Sequence, residues 1–487
     1  MNNNIKRDSK LKAGIHLTII QFGLLVIPII TMPYIVDKIG MEKFGAVIFF
    51  QSIMNLLSVI INYGFAQTGA PDIAKAASGR KLNFEYSNIL FSKIFLLFLC
   101  LLIALILYAV IPKFNNEKQL YFLSLIILVF NCLDISFLFQ GVERMKDYMI
   151  LNFLANILVV FLLFYFVKKP EDYILIPVIF FGPKVFASGA AILYASVIFK
   201  IKPNMFFFTA VLRKLRNGIN FFASNIFSIL YAQTSSIMLG FLGGDISVGI
   251  YSLADKLCIA YTIIQSKIAV VYQPQIAKDF KKGIIEGSIR AKENIFFTLI
   301  AAIPVFFFCQ FFAEDILFLF FQNKGADSVN ILRMLSLNFI SIGLSGILSC
   351  NILISIGRAD EMLRPSVITA IINCILGGTL IYFFRHTGAA ITICLIEFGV
   401  MCYYFFRVRK FQIFVLSKPI MRILFVYSVI IIVSLSVLKY ASAIIVLNFF
   451  LKIAVITVSF GLIIVYLLKT MNILGFKNLK LKFNCPC

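Results

Sequence analysis

Four charged residues stand inside long apolar runs, where each costs roughly 2.5–3.5 kcal/mol at a bilayer centre. Lys184 in "FFGPKVFASG" and Glu397 in "TICLIEFGVM" fall near the middle of their runs, at a rise of about 1.5 Å per residue. Asp134 in "FNCLDISFLF" and Lys267 in "IIQSKIAVVY" fall nearer one end. A lysine so placed offers positive charge to an anionic ligand. An acid so placed offers a site for a proton or a sodium ion. For Lys184 and Glu397 a mutual structural ion pair is the plainer reading, and the sequence leaves both open. Lys93 and Arg333 stand close enough to the ends of their runs to snorkel to water. Asp255 is a third candidate acid, with Lys256 as its neighbour.

Uncharged polar residues add stripes at helical spacing. Gln51, Asn55, Ser58 and Asn62 follow one another at intervals of four, three and four, which is one helix face. Asn220, Ser224, Ser228, Tyr231 and Ser235 make a second stripe, and Asn338, Ser341, Ser345 and Ser349 a third. Such stripes either glue helices together or line a polar cavity. Four helices carrying them, with Asp255, Thr262 and Ser266 as the fourth set, favour a cavity. Motifs for covalent chemistry are missing: there is no G-x-x-x-x-G-K-[ST] loop, no H-E-x-x-H and only two His. The ten Cys are scattered, and the Cys485-Pro486-Cys487 pair lacks further ligands for a metal. No cofactor is expected.

The elements that must position these residues follow from composition. Apolar residues make up 61% of the 487, Phe alone numbers 54, and 14% are charged. Soluble domains are about half apolar and a quarter charged. Fourteen segments read as membrane helices: 13–36, 44–68, 87–111, 120–141, 149–167, 174–198, 217–241, 250–275, 295–320, 329–356, 366–384, 388–406, 420–438 and 446–468. The first is expected to be retained, since it is too long for a signal peptide and lacks a cleavage site. With the N-terminus in the cytoplasm, Lys and Arg concentrate in the cytoplasmic loops, such as "FKIKPNMFFFTAVLRKLRNG" and "AKDFKKGIIEGSIRAKEN". The net charge of +23 is thereby explained by anionic lipid headgroups, without nucleic acid.

The chain also repeats itself. A shift of 204 residues lays Gly14-Ile15 on Gly218-Ile219, Gly40 on Gly244 and Gly45 on Gly249. At a shift of 203, Pro-x-Ile-Ala-Lys at Pro71–Lys75 meets its copy at Pro274–Lys278. Six segments separate the copies, so both enter the membrane in the same direction, as in parallel-repeat transporters. The expected fold is all-α and polytopic, with two parallel six-helix lobes around a central cavity. The division is 1–199 for the first lobe, 200–216 for a basic cytoplasmic linker, 217–410 for the second lobe, and 411–487 for an added helix pair and cytoplasmic tail. The total is twelve to fourteen helices.

The stretch "GIHLTIIQFGLLVIPIITMPYIVDKIGMEKFGAVIFFQSI", with "NYGFAQTGAPDIAKA" and "FLFQGVERMKDYMI" after it, resembles the Wzx-type O-antigen flippases of the multidrug/oligosaccharidyl-lipid/polysaccharide exporter superfamily. The resemblance is most specific over residues 14–150. It implies alternating access and a cargo of one oligosaccharide repeat unit on undecaprenyl diphosphate. That cargo would move from the cytoplasmic to the periplasmic leaflet of the bacterial inner membrane. Candidate partners are membrane lipids, a proton or sodium ion, an O-antigen polymerase and a chain-length regulator. On this reading Lys184 and Lys267 face the anionic head, Lys93 and Arg333 act at gates, and Gln51, Asn55, Asn62, Asn220 and Ser224 meet sugar hydroxyls. Asp134, Asp255 and Glu397 are then the ion-coupling candidates. The competing readings are a multidrug or cation exporter of the same fold, which should show a carboxylate-dominated cavity, a membrane glycosyltransferase or polymerase, which should show a large outward loop, and a non-transporting assembly partner.

Overall fold

Hydrocarbon offers peptide groups no water, so an apolar chain closes its backbone hydrogen bonds within helices. The computed structural model has that form, and describes residues 2–76, 79–201, 208–413 and 418–444. All regular structure among the described residues is helical. Thirteen of the fourteen expected segments fall on helices; the last, 446–468, lies outside the described residues, as do Cys485 and Cys487. Ten stretches are long and apolar enough to cross a membrane. Three of these, Ile30–Ala76, Ile284–Leu353 and Asp360–Lys410, run for 47, 70 and 51 residues and hold two segments each. The chain is a multi-pass membrane protein.

Apolar periodicity does not reveal where these helices break. The Asn2–Asn62 stretch is two helices joined at Gly40, whose φ of 79° and ψ of 169° reverse the chain. Gly378–Lys410 turns in the same manner at Arg385 (φ 49°, ψ −128°). The fourth segment is in three pieces, Lys118–Ser124, Ile126–Leu133 and Ser136–Gly141. The tenth and eleventh contain π-turns, Ile347–Leu353 and Asn373–Gly377, a feature frequent at functional sites.

The landmarks of the internal repeat share backbone geometry. Gly244 has φ of 80°, matching Gly40 at the equivalent turn. Side chains beyond glycine adopt this conformation at a cost. Beyond each turn comes the second glycine of the pair. A methyl group at Gly45 would strike the Asp245 carbonyl and the Gly249 amide, and one at Gly249 would strike Met41. Because Met41 and Asp245 are themselves 204 apart, the contact is reciprocal, like that across a two-fold axis. Close helix approach through small residues is the usual way to gain packing in lipid, where apolar burial alone gives no drive. The Pro-x-Ile-Ala-Lys copies match as well. Ile73 and Ile276 are buried at 1% and 0% exposure, while Pro71, Lys75, Pro274 and Lys278 are exposed. Copy one differs in one respect. Its helix stops at Asn62, turns through Tyr63 (φ 40°) and Gly64 (φ 80°), and restarts as Phe65–Ala76, whereas copy two runs unbroken as Asp245–Lys282.

By packing, the chain forms two compact units. The first comprises Met1–Leu253 with Ser366–Thr392, and the second comprises Ala254–Pro365 with the chain from Ile393. Packing and repeat are different divisions; the lobe scheme above concerns the repeat. In the first unit Phe65, Ile73, Tyr86, Phe137, Phe139 and Tyr148 form the core. There Gly141, of the Phe-Gln-Gly motif, lies so close to Ile73 and the Ala70 carbonyl that no larger residue fits. In the second unit the Lys418–Ile444 helix joins the core through Leu424, Tyr427 and Ile431. The Tyr427 hydroxyl donates to the Ile300 carbonyl at 3.2 Å.

Gly45→Ala and Gly249→Ala should each destabilise the protein by about 1–3 kcal/mol, the usual range for overpacking. Gly399→Ala is the control, since nothing lies within 4 Å of its added carbon. Thermal unfolding in detergent checks this; equal midpoints for all three would remove the close crossing.

Candidate substrate site

The strongest polar cluster in the first unit grows from the helix break at Asp134. There the backbone leaves the helix (ψ 111°), freeing peptide groups inside the apolar region. Asp134 turns its carboxylate onto the break, accepting from the Ser136 amide at 2.8 Å and from the Ser136 hydroxyl at 3.2 Å. The Tyr148 hydroxyl donates to the same carboxylate at 2.5 Å. Lys93, 2% exposed, donates through Nζ to the Asp134 carbonyl at 2.6 Å and lies 5.9 Å from the Phe137 ring centroid. Lys93 therefore points inward and does not snorkel. The structure brings Lys93 and Asp134 together and adds Tyr148, which sequence reasoning missed. Its only signal is proximity in sequence to the "FQGVERMKDY" motif, and nothing there foretells a carboxylate partner.

The polar stripe 51–62 divides in two. Asn62 donates to Asn131 Oδ1 at 2.9 Å, and the Ser58 hydroxyl donates to the Asn55 carbonyl at 2.7 Å. The side chains of Gln51 and Asn55 are half-buried and form no hydrogen bond among the described residues. Asn220 is exposed and Ser224 half-buried, both likewise without a side-chain partner. Lys184 lies about 12 Å into the Ile176–Ile198 helix, by its position and the helical rise. It is half-buried, 5.0 Å from the Phe181 ring centroid, and no carboxylate pairs with it among the described residues. Unsatisfied amides and a lone ammonium inside an apolar region are what a polar ligand would complete.

In the second unit the candidates are scattered. Lys267 is exposed on the Asp245–Lys282 helix without an acid partner among the described residues. Asp255 is half-buried beside Lys256, and its carboxylate accepts no hydrogen bond among the described residues. Glu397 is half-buried on Gly378–Lys410. Arg333 is fully engaged, donating to the Gln310 carbonyl at 3.2 Å and pairing with Glu314 at 2.9 Å. It lines a cleft of about 580 Å³ with Glu314, Asp315, Phe318, Asn323 and Asn330. The stripe on the tenth segment turns partly inward on its own backbone, and residues outside it join the neighbouring helices. Ser345 and Ser349 bond within their own helix, while Gln265 donates to the Phe339 carbonyl at 2.9 Å and Asn351 to the Ala269 carbonyl at 2.8 Å.

One ionic feature had no sequence signal beyond loop charge. Lys113 pairs with Asp245 at 2.7 Å, donates also to the Gly240 carbonyl, and lies 4.3 Å from the Phe49 ring centroid. Lys43 joins Glu117 at 3.2 Å, and Tyr173 donates to the same carboxylate. These bonds tie the turns near 40, 115, 172 and 244 within the first unit.

Comparison with known proteins places the chain. The profile of the polysaccharide biosynthesis protein family matches residues 11–279. The chain is 26% identical over 401 residues to a protein of Escherichia coli K12 named "Putative O-antigen transporter", across 81% of this chain and 95% of that one. Its fold is similar to that of the lipid II flippase MurJ in an inward closed conformation, with TM-score 0.70 and 14% identity, across 93% of this chain and 99% of that one. It is similar also to a multidrug resistance MATE family transporter in an inward-facing conformation, with TM-score 0.64 and 14% identity, across 79% and 94%. Likeness at that identity speaks to fold alone. The profile match takes in more than half of the sequence, with all of the motifs between residues 14 and 150, and the chain belongs to the polysaccharide biosynthesis protein family.

Proposed function

We propose that the protein is a flippase that moves a lipid-linked oligosaccharide across the bacterial inner membrane. The cargo is an O-antigen-type repeat unit on undecaprenyl diphosphate, carried from the cytoplasmic to the periplasmic leaflet by alternating access. The observation that carries this reading is Lys184, a half-buried ammonium in an apolar helix with no carboxylate partner among the described residues. Membership of the polysaccharide biosynthesis protein family supports this cargo class, and so does the name of the Escherichia coli relative. A diphosphate-sugar head meets about 30 Å of hydrocarbon and needs a polar route. Lys184 and Lys267 match its phosphates, Gln51, Asn55, Asn62, Asn220 and Ser224 match sugar hydroxyls, and the prenyl tail stays in lipid. Asp134, Asp255 and Glu397 are the groups for proton or sodium coupling, and Arg333 and Lys93 hold helix ends in place. Both termini lie in the cytoplasm, by the bias of Lys and Arg. Opening toward the periplasm then requires the Lys113–Asp245 pair to part. A cation exporter of similar fold is less well supported, since unpaired lysines repel its cargo. Polymerase and chain-length regulator are the expected downstream partners.

Complementation of a strain lacking its own O-antigen flippase tests the proposal, using the native O-antigen cluster and lipopolysaccharide ladders on a gel. Wild type should restore ladders, and Lys184→Ala or Lys267→Ala at equal expression should reduce them at least about tenfold, the loss of one charge contact near 1.4 kcal/mol. No ladders from wild type would sink the flippase reading. Ladders from both variants at wild-type level would sink only the site assignment.

Lys93→Ala should fail for a different reason. Removing its ammonium strands a carbonyl at the helix break, a cost of about 1–3 kcal/mol. The melting midpoint of the purified protein should fall with Lys93→Ala and stay near wild type with Lys184→Ala. The reverse pattern would exchange the two roles.

A further inference from the structure

The first copy of the Pro-x-Ile-Ala-Lys motif borders a charged cleft. The cleft, of about 480 Å³, is lined by Asp72, Lys75, Arg80, Lys81, Phe84 and Glu85, at the junction of the Phe65–Ala76 and Arg80–Val110 helices. Its two acids are already paired, sharing one lysine. Lys214, whose side chain is 14% exposed, pairs with Asp72 at 2.5 Å and also with Glu85. Its three cations are not. Lys75, Arg80 and Lys81 are exposed and form no ion pair among the described residues. The cleft therefore presents an arginine and two lysines to any anion, and with Lys214 set against its two acids it keeps a net positive charge.

An apolar stripe leads away from it. Phe84, Phe91, Phe95, Phe98 and Leu102 follow at intervals of seven, four, three and four, which is one face of the Arg80–Val110 helix. Phe84, Phe95, Phe98 and Leu102 are 41%, 44%, 63% and 42% exposed, and Phe91 between them is half-buried. A cationic cleft continuous with an apolar track fits an anion that carries a long hydrocarbon tail. Arginine matches phosphate oxygens in pairs, and the lysines add point charges.

The second copy serves as an internal comparison. Beyond Pro274–Lys278, Asp279 holds Lys282 at 2.7 Å and Arg290 at 3.3 Å, and Glu293 holds Arg290 at 2.7 Å. There the nearby acids take up Lys282 and Arg290, while Lys278 and Lys281 stay exposed and form no ion pair among the described residues.

We propose that Lys75, Arg80 and Lys81 form a docking site for the diphosphate head of a prenyl-linked lipid, whose tail lies along Phe84–Leu102, on the cytoplasmic side and ahead of transport. This rests on the flippase reading for its cargo. The test is binding of geranylgeranyl diphosphate to the full-length protein in phosphatidylcholine nanodiscs, with phosphatidylglycerol and inorganic pyrophosphate as competitors. The variant K75Q/R80Q/K81Q should lose at least about tenfold in affinity, given roughly 1 kcal/mol for each basic residue near a lipid surface. The control K278Q/K281Q/K282Q removes the same charge from the second copy and should bind like wild type, as should the charge-conserving K75R/R80K/K81R. Equal loss in both glutamine variants would reduce the effect to general surface charge and overturn the site. Unchanged binding in K75Q/R80Q/K81Q would overturn it too. Displacement by phosphatidylglycerol at comparable concentration would hand the cleft to bulk phospholipid, and displacement by pyrophosphate at comparable concentration would remove the tail track. Either overturns the assignment to a prenyl lipid. The binding assay requires no transport, so ladders absent from wild type alongside specific binding would remove the flippase reading and leave the site.

Discussion

A carbonyl oxygen released from a helix inside hydrocarbon has no water to turn to, and that single constraint organises this protein. Donors from neighbouring elements reach the main chain at several points. Lys93 serves the Asp134 carbonyl, Gln265 that of Phe339, Asn351 that of Ala269, Asn373 that of Tyr231 and Tyr34 that of Val167. Each bond fastens one helix to another at a point chosen by the backbone. In the bilayer, where apolar contact costs the separated helices nothing, such bonds and close packing set the arrangement.

That division sorts the polar residues by what they do. A side chain that has found a carbonyl is part of the scaffold, however functional its type suggests. Lys93, Ser345 and Ser349 belong there. Gln51, Asn55, Asn220, Ser224 and Lys184 keep their capacity in reserve. Scaffold and site are thus built from the same residue types, and only partnership separates them. Asp134 belongs to both classes, since it caps a broken helix and also holds a tyrosine hydroxyl close to its carboxylate.

The sequence made the helices legible because bilayer thickness demands runs that no soluble chain needs, and the charged loops stood out against them. It made the turn glycines legible too, since Gly40 and Gly244 recur at a fixed distance and share one backbone conformation. Position along an apolar run is what brought Lys184 and Glu397 forward. Direction was not. Whether Lys93 pointed to water or inward depended on a helix break at Asp134 that apolar pattern does not mark. Tyr148 and the Lys113–Asp245 pair depended on contacts between segments far apart in the chain. Charges in loops read only as topology, so the unequal use of the cations near the two Pro-x-Ile-Ala-Lys copies came from the side-chain geometry alone.

The left-handed pair Tyr63–Gly64 has a consequence for how the two copies grew apart. The shift that aligns them falls from 204 at Gly45 to 203 at Pro71, so copy one holds one residue more within that interval. In an unbroken helix an extra residue would swing everything after it by about 100°, at 3.6 residues per turn. It would carry Ile73 off the core and Lys75 off its surface. A reversal of two residues absorbs the surplus, which is why Ile73 and Ile276 are still equally buried. One surplus residue, taken up at one glycine, thus leaves the buried isoleucines of the two copies in matching places while the path between the landmarks differs.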